Sequence, residues 1–282
     1  MGKRIISGAA VALLAIAAIF AGGFILSAAL LCISCIAYRE LCRATKTASS
    51  DKPGGLEIVG YIGIVLYYGL ITAASEGIAF VERERFGLFL AMLFLVILML
   101  QMAVYVITFP KYRSEQVMAA FFCMIYAPVL LSFIYLTTCM RYGFYLVWMI
   151  FISSWVCDTC AYFTGVAFGR HKLAPILSPK KSIEGAVGGV VGSAVVGALF
   201  SFLLVERAVP NQTVTWVFAL IGGIGAVISQ IGDLAASAIK RNHEIKDYGT
   251  CIPGHGGIMD RFDSVIFTAP IIYFLAQMLM IG

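Results

Sequence analysis

Long apolar runs recur along the whole chain, and they constrain its fold more than any other feature of the sequence. Hydrophobic residues make up 61% of the 282 residues and charged residues only 12%, whereas soluble domains carry about a quarter charged residues. A helix crosses the bilayer core with about 20 consecutive apolar residues. The sequence therefore predicts an all-α polytopic membrane protein that forms a single membrane-embedded domain over residues 1–282.

Nine apolar runs predict nine transmembrane helices, over residues 5–20, 24–38, 58–74, 87–109, 117–140, 144–165, 183–205, 214–239 and 265–281. With the N-terminus in the cytoplasm, sixteen of the 20 Lys and Arg residues fall on the cytoplasmic side, and the other four are Arg83, Arg85, Arg141 and Arg207. A Lys and Arg excess of this kind sets the orientation of membrane proteins. We therefore expect a cytoplasmic N-terminus, an outside C-terminus and a basic cytoplasmic surface.

The first apolar run also has features of a secretory signal, because Lys3 and Arg4 precede it and small residues lie near Ala21. A second apolar run begins directly after Gly22 and Gly23. This arrangement favours a helical hairpin that is retained in the membrane.

The chain changes character near residue 150. For residues 1–150 the sequence predicts apolar helices joined by ordinary solvated loops, among them 39–55 and 109–116. For residues 151–282 it predicts a catalytic part with ionisable groups inside its helices. Asp158 and Asp233 lie within predicted spans, where a charged residue costs about 2.5–3.5 kcal/mol on insertion scales and indicates a functional site.

Each of these two aspartates belongs to a polar stripe, because residues four apart share a helix face. The stripes are Ser154, Asp158, Tyr162 and Ser229, Asp233, Ser237. We expect both stripes to face the bundle interior or a water-filled cavity. A structural network of hydrogen bonds between helices is the alternative interpretation.

Two further patterns predict packing rather than chemistry. The CxxC pairs at 32–35 and 157–160 lie inside predicted spans, where cysteine behaves as a small hydrophobe, so we interpret them as core residues without a zinc site or disulfides. Small residues that recur at every fourth position allow close approach of helix backbones. In the seventh predicted span these are Gly185, Gly189, Ser193 and Gly197.

Three segments on the predicted cytoplasmic side carry groups that bind phosphate and metal. In the first, 171–185, Ser178 or Ser182 could cap the next helix, whose N-terminus attracts anions. The second, 232–241, places Asp233 before Lys240 and Arg241. In the third, 246–264, the glycine-rich turn 253–257 contains His255. Carboxylates beside Lys and Arg suit a magnesium ion that carries phosphates, so the residues predict a metal-assisted site for a phosphorylated substrate. The charged candidates are Lys172, Lys180, Lys181, Asp233, Lys240, Arg241, Lys246, Asp247, Asp260, Arg261 and Asp263.

The segment SAIKRNHEIKDYGTCIPGHGGIMDRFDS, residues 237–264, resembles the signature of the phosphatidate cytidylyltransferases (CDP-diglyceride synthases). In that family the pattern runs Ser-x-x-Lys-Arg, four residues, Lys-Asp-x-Gly, then Pro-Gly-His-Gly-Gly, two residues and Asp-Arg-x-Asp. Residues 158–185 are similar to the family's Asp-Thr-x-Ala-Tyr and Ser-Pro-Lys-Lys-x-x-Glu-Gly segments. The specific resemblance covers about residues 155–264, and residues 1–150 match only in being apolar and multi-span.

This resemblance implies a magnesium-dependent reaction in which CTP and phosphatidic acid give CDP-diacylglycerol and pyrophosphate in phospholipid synthesis. It implies that Asp233 and Asp260 hold magnesium, with Asp263 as a further ligand or neighbour, and it leaves a second cation open. Asp247, Ser237 and His255 would orient the substrates, and Asp158 joins the substrate-binding set. The groups implied for the triphosphate and the lipid phosphate are Lys180, Lys181, Lys240, Arg241, Lys246 and Arg261.

The expected surroundings follow from the same resemblance. The partners would be CTP, phosphatidic acid and the bilayer, with no nucleic acid, and a homodimer is plausible by analogy with the family. We expect a bacterial plasma (inner) membrane protein whose active site faces the cytoplasm.

Three other functions remain open at this point. An ion-coupled transporter would use Asp158 and Asp233 beside glycine-rich helices, although the chain has no inverted repeat and its charges gather on one side. A related CTP-using membrane enzyme could act on another lipid, such as a polyprenol. A purely structural scaffold fits the density of buried charge least well.

Overall fold

The structure is a computed structural model that describes residues 13–47, 52–78, 85–208, 214–251 and 256–279. It is almost entirely helical, with one antiparallel hairpin of two short strands between the sixth and seventh helices. The helices are α1 (13–21), α2 (Gly23–Ala44), α3 (Gly55–Ser75), α4 (Phe86–Ile107), α5 (Ser114–Thr138), α6 (Gly143–Phe168), α7 (Ile183–Ala208), α8 (Thr215–Asn242) and α9 (Met259–Leu279). The strands are β1 (Lys172–Ala174) and β2 (Ser178–Ser182).

Eight helices, α2 to α9, are long and apolar enough to cross a membrane in the part of the chain that the structure describes. They coincide with the second to ninth predicted spans. The predicted all-α polytopic class is therefore confirmed, and the chain is an integral membrane protein. The first predicted span, 5–20, lies largely outside the described residues, so it stays a prediction, as do the orientation and the division near residue 150.

Local hydrogen bonds fix where several helices begin. The carboxylate of Glu57 accepts a hydrogen bond from Gly54 N (2.8 Å) at the start of α3, and the Gln116 side chain accepts one from Arg113 N (2.9 Å) at the start of α5. Such bonds satisfy amide groups that have no partner within the first turn of a helix. Three helices also contain a π-helical segment, at Ile125–Val129, Ile152–Val156 and Ser201–Val205.

The interpretation of 39–55 and 109–116 as ordinary solvated loops is wrong at several residues, among them two polar ones, Glu40 and Tyr112. Helix α2 continues to Ala44, so Glu40 is helical, and it is only 7% exposed. Tyr112 is also buried, and its hydroxyl oxygen accepts a hydrogen bond from Gly55 N (2.9 Å). Both polar groups can be buried because they bond to backbone amides, which offsets the loss of water.

The described chain divides into two compact units, of which the first contains residues up to Leu136 together with His243–Arg261. Hydroxyl pairs join its helices: Ser27 bonds to Thr72 (2.5 Å) between α2 and α3, and Ser132 bonds to the Tyr67 hydroxyl (2.8 Å) between α3 and α5. Polar bonds of this type supplement van der Waals packing between membrane helices.

The second unit contains Thr137–Asn242 and the residues from Phe262 on. The four small residues of α7 are buried, and the helices lie so close that added Cβ atoms at Gly189 and Gly197 would lie 2.9 Å from Cys157 O and 2.8 Å from Phe218 O. Helix α7 therefore packs through this row against both α6 and α8. The predicted role of the row in packing is confirmed.

Candidate active site

A cavity of about 480 Å³ lies in the second unit, between α6, the β-hairpin, α7 and α8. One part of its wall is charged, with two aspartates and two lysines, and the rest consists mostly of small and apolar side chains. A cavity with a few charged groups and an apolar wall is typical of a small-molecule site. The lining residues that carry the argument are Asp158, Tyr162, Lys180, Lys181, Gln230 and Asp233.

Lys181 and Asp233 form a hydrogen-bonded ion pair in this cavity, between Lys181 Nζ and Asp233 Oδ2. Strand β2 supplies the lysine and α8 supplies the aspartate. The two side chains are 27% and 25% exposed, so solvent screens this pair less than it screens pairs on an open surface. Lys180, the residue before, is exposed and also lines the cavity.

Two further carboxylates add negative charge near this pair. Asp158 on α6 interacts electrostatically with Asp233 and Lys181. Asp263 on α9 interacts with Asp233, with Asp158 and with Lys240 near the end of α8. Three carboxylates therefore share one region of the second unit with the ammonium groups of Lys180, Lys181 and Lys240. Carboxylates beside lysines suit a magnesium ion that carries phosphates.

The β-hairpin places the two lysines at the cavity. The carboxylate of Glu184, in the first turn of α7, accepts hydrogen bonds from Arg170 N (3.1 Å) and His171 N (3.2 Å), and it pairs with His171 Nδ1 (2.6 Å). Ser182 caps α7 by accepting a hydrogen bond from Gly185 N (3.2 Å). Of the two predicted caps, Ser182 is thus confirmed. These bonds tie both ends of the hairpin to α7.

The structure keeps only part of each predicted polar stripe at the cavity. Asp158 and Tyr162 line it, whereas Ser154 is buried and donates to Ile150 O (2.8 Å). A π-helical segment ends between Ser154 and Asp158, and its wider turn changes which residues share a face. On α8, Asp233 lines the cavity and Ser229 is buried.

The remaining predicted site residues belong to the connection between α8 and α9 and to the two helix ends. Asp260 lies in the first unit, where its Oδ2 accepts hydrogen bonds from Tyr248 N (2.8 Å) and Gly257 N (3.0 Å). Gly256 has a φ of 84°, a left-handed conformation that glycine adopts at little cost. His255 lies outside the described residues. Of the other predicted site residues in this region, Ser237 and Lys240 are half-buried, and the exposed ones are Arg241, Lys246, Asp247 and Arg261.

Comparison with known proteins identifies the family to which the chain belongs. A sequence model of the cytidylyltransferase family matches residues 2–279. The chain belongs to the cytidylyltransferase family. Membership in this family makes the chain a nucleotidyltransferase, and it agrees with the resemblance seen in residues 155–264.

Several bacterial relatives support this membership, and each carries the name phosphatidate cytidylyltransferase. The Bacillus subtilis protein is 30% identical over 278 residues, 98% of this chain and 97% of the relative. The Staphylococcus saprophyticus protein is 32% identical over 254 residues, 90% of each chain. The Thermotoga maritima protein is 34% identical over 170 residues, 60% of this chain and 63% of the relative.

Two polar residues that line or support this cytidylyltransferase site, Gln230 and Glu184, were not predicted as site residues from the sequence. Gln230 lines the cavity, and its Nε2 donates to Ala186 O (3.0 Å) and lies 3.4 Å from Cys157 Sγ. A polar residue inside an apolar span, three positions before Asp233, is a signal that could have indicated it. The sequence analysis included Glu184 only as part of the Ser-Pro-Lys-Lys-x-x-Glu-Gly pattern. Its hydrogen bonds to the start of the hairpin are visible only in the structure.

Proposed function

We propose that this protein transfers the cytidylyl group of CTP to phosphatidic acid and forms CDP-diacylglycerol and pyrophosphate. The observation that carries the proposal is the cavity among membrane helices, where Lys180 and Lys181 lie beside Asp158 and Asp233. The family membership and the names of the relatives support the choice of CTP and of phosphatidate. A site within the helices of an integral membrane protein can receive a lipid from the bilayer.

The reaction needs positioning and charge neutralisation more than a strong base. A phosphate oxygen of phosphatidate attacks the α-phosphorus of CTP, the new P–O bond forms, and the bond from that phosphorus to the bridging oxygen breaks, so pyrophosphate leaves with the electron pair. The attacking phosphate is already largely ionised. Lys181 and Lys180 bind phosphate oxygens and stabilise the charge that develops on them.

Magnesium dependence is part of the proposal. Among the described residues no three His, Cys, Asp or Glu side chains form a ready metal cluster, but magnesium is usually bound by one or two carboxylates together with substrate phosphates and water. Asp233 and Asp263, which interact in the second unit, fit this requirement and would hold the ion. Bound magnesium would neutralise phosphate charge. A second cation, and the metal role predicted for Asp260, stay predictions.

The surroundings of the reaction are also proposed. CTP is a cytoplasmic nucleotide, and the predicted orientation puts the α8–α9 connection and the β-hairpin on the cytoplasmic side. Bacterial relatives favour the inner membrane. A homodimer is proposed by resemblance alone, and the mass of the detergent-solubilised protein by light scattering tests it.

A direct assay tests the proposed function. Purified protein in detergent is given radiolabelled CTP, phosphatidic acid and magnesium, with a parallel sample that contains a chelator. We expect label in a CDP-lipid only when magnesium is free. Folded protein that binds CTP and leaves the lipid unlabelled would point to another lipid acceptor, and protein that binds no nucleotide would favour the ion-coupled transporter.

A further inference from the structure

Glu40 is a buried carboxylate within residues 1–150, the part of the chain outside the predicted catalytic part. It lies near the end of α2, and its two oxygens reach the beginning of α9 within the first unit. Oε1 accepts a hydrogen bond from Ile258 N (3.0 Å), and Oε2 accepts one from Met259 N (2.8 Å). A carboxylate at the N-terminus of a helix satisfies free amides and interacts favourably with the helix dipole.

Two glycines of the signature segment leave the space that the Glu40 carboxylate fills. A Cβ atom at Gly249 or at Gly257 would overlap the Glu40 carboxylate. Gly249 ends the Lys-Asp-x-Gly part of the segment, and Gly257 ends the glycine-rich turn. Both parts of the signature therefore contact the same side chain from α2. The Glu40 carboxylate leaves no room for a side chain at either position, which explains why both residues are glycine.

The backbone segment that donates hydrogen bonds to Glu40 also donates one to Asp260. Gly257 N donates to Asp260 Oδ2 (3.0 Å), next to the two amides that donate to Glu40. Glu40 and Asp260 also repel each other electrostatically. An uncharged Ser, Thr or Asn cap offers one side-chain oxygen to the backbone, whereas the Glu40 carboxylate holds two consecutive amides despite this repulsion.

We infer that Glu40 is a positioning residue for Asp260: its carboxylate fixes the backbone of Gly257–Met259 and thereby the placement of Asp260 at the start of α9. This inference rests on the proposed function and on the predicted role of Asp260 in it. Glu40 acts through the backbone and touches no reacting atom. The N-terminal half of the chain thus contributes to catalysis through one buried side chain.

Substitution of Glu40 tests the inference. Glu40→Gln keeps one acceptor oxygen but turns an NH₂ group toward a backbone amide, so one of the two hydrogen bonds is lost and the other no longer involves a charged group. Since a hydrogen bond to a charged group is worth roughly a tenfold to hundredfold effect, we expect kcat per folded molecule to fall about tenfold or more, with the KM for CTP changed less than about threefold. Glu40→Asp, which keeps the charge, should restore part of kcat.

Glu57→Gln is the matched control. Glu57 is also a buried carboxylate of the first unit, but it accepts its backbone hydrogen bond from Gly54 N at the beginning of α3 and not from the signature segment. The control should keep the wild-type kcat, whatever its effect on the melting temperature in detergent. A purely structural role of Glu40 would lower the melting temperature or the yield and leave kcat per folded molecule unchanged, which would overturn the inference.

A second variant tests the contact between Glu40 and Gly257. Gly257→Ala alone should lower kcat because the new methyl group displaces the carboxylate. In a Glu40→Ala background the same change should cost much less, because the space is free, whereas additive effects would contradict the contact. Wild-type protein that forms no CDP-lipid would overturn the proposed function, and active wild-type protein with an equally active Glu40→Gln variant would overturn this inference alone.

Discussion

Lys181 is bonded to Asp233 in the cavity, so a phosphate that enters must compete with a carboxylate for the ammonium group. We predict that Lys181→Gln lowers kcat/KM for CTP by about ten- to a hundredfold, since a hydrogen bond to a charged group contributes about 1.5–3 kcal/mol. Lys180→Gln should have a smaller effect, because that side chain is exposed and its charge is better screened. Initial rates over a CTP titration measure both.

A lysine outside the cavity provides the control for this prediction. Lys111 lies in the connection between α4 and α5, with its ammonium group 5.3 Å from the centre of the Tyr112 ring. Lys111→Gln should leave kcat/KM unchanged. Equal losses in Lys111→Gln and Lys181→Gln would show that net charge, rather than a phosphate contact, explains the effect.

Asp233 lies where the charges of the second unit converge, since Lys181, Asp158 and Asp263 all interact with it. We predict that Asp233→Asn, which keeps the shape but removes the charge, lowers kcat by at least about a hundredfold, the effect of losing one preorganised electrostatic group. It should also weaken the binding of Mn²⁺, a paramagnetic substitute for magnesium, as followed by electron paramagnetic resonance.

The matched control for Asp233→Asn is Glu115→Gln, which neutralises an exposed carboxylate in the first turn of α5. Its activity and Mn²⁺ binding should equal those of the wild type. Asp233→Asn protein that remains folded and shows near-normal activity would rule out the metal role. Loss of activity with unchanged Mn²⁺ binding would assign Asp233 to substrate contacts instead.

At the scale of the elements, the row of small residues on α7 determines how closely α6 can approach. A Cβ atom at Gly189 would lie 2.8 Å from Cys157 Sγ and 2.9 Å from Cys157 O. We predict that Gly189→Ala forces the two helices apart and destabilises the protein by about 1–3 kcal/mol, a common cost of an overpacked interior. Thermal unfolding of the detergent-solubilised protein should show a lower melting temperature.

Gly223→Ala on α8 is the control within the same unit. A Cβ atom there would lie 3.6 Å from Ala194 Cβ, an ordinary van der Waals distance. The melting temperature of this variant should stay close to that of the wild type. A Gly189→Ala variant as stable as Gly223→Ala would mean that α6 and α7 adjust without cost.

The elements also show what the sequence could and could not predict. Helices α2 to α9 were predictable because an apolar run of span length has few alternatives in a membrane. The strands β1 and β2 were not predicted, because three and five residues are too few for a periodic pattern. The hairpin depends on Glu184, whose bonds to Arg170 N and His171 N are tertiary contacts.

The same limit applies to the site. Asp158 and Asp233 were predictable because a charge inside an apolar span is conspicuous. Glu40 was not, because a carboxylate next to Arg39 at the end of an apolar run has the same appearance whether water or a helix N-terminus surrounds it. The placement of Ser154 depends on a π-helical segment that the spacing does not reveal.

At the scale of the whole molecule, the distribution of Lys and Arg predicts on which side of the membrane each connection lies. Two native cysteines report on this prediction, because both are free and exposed in connections between helices. Cys251 lies between α8 and α9, on the predicted cytoplasmic side. Cys139 lies between α5 and α6, on the predicted outer side. A third exposed cysteine, Cys32, lies within α2 and faces the lipid if α2 spans the bilayer.

We predict opposite labelling of Cys139 and Cys251 by a maleimide that cannot cross membranes. In variants that keep one of the three cysteines and replace all others by Ala, Cys251 should react only in inverted vesicles and Cys139 only in right-side-out spheroplasts. Cys32 should react in neither, because the reactive thiolate needs water. Labelling of Cys139 and Cys251 from the same side would contradict the predicted topology. The reverse pattern would place the α8–α9 connection outside, away from cytoplasmic CTP, and would count against the proposed reaction as well.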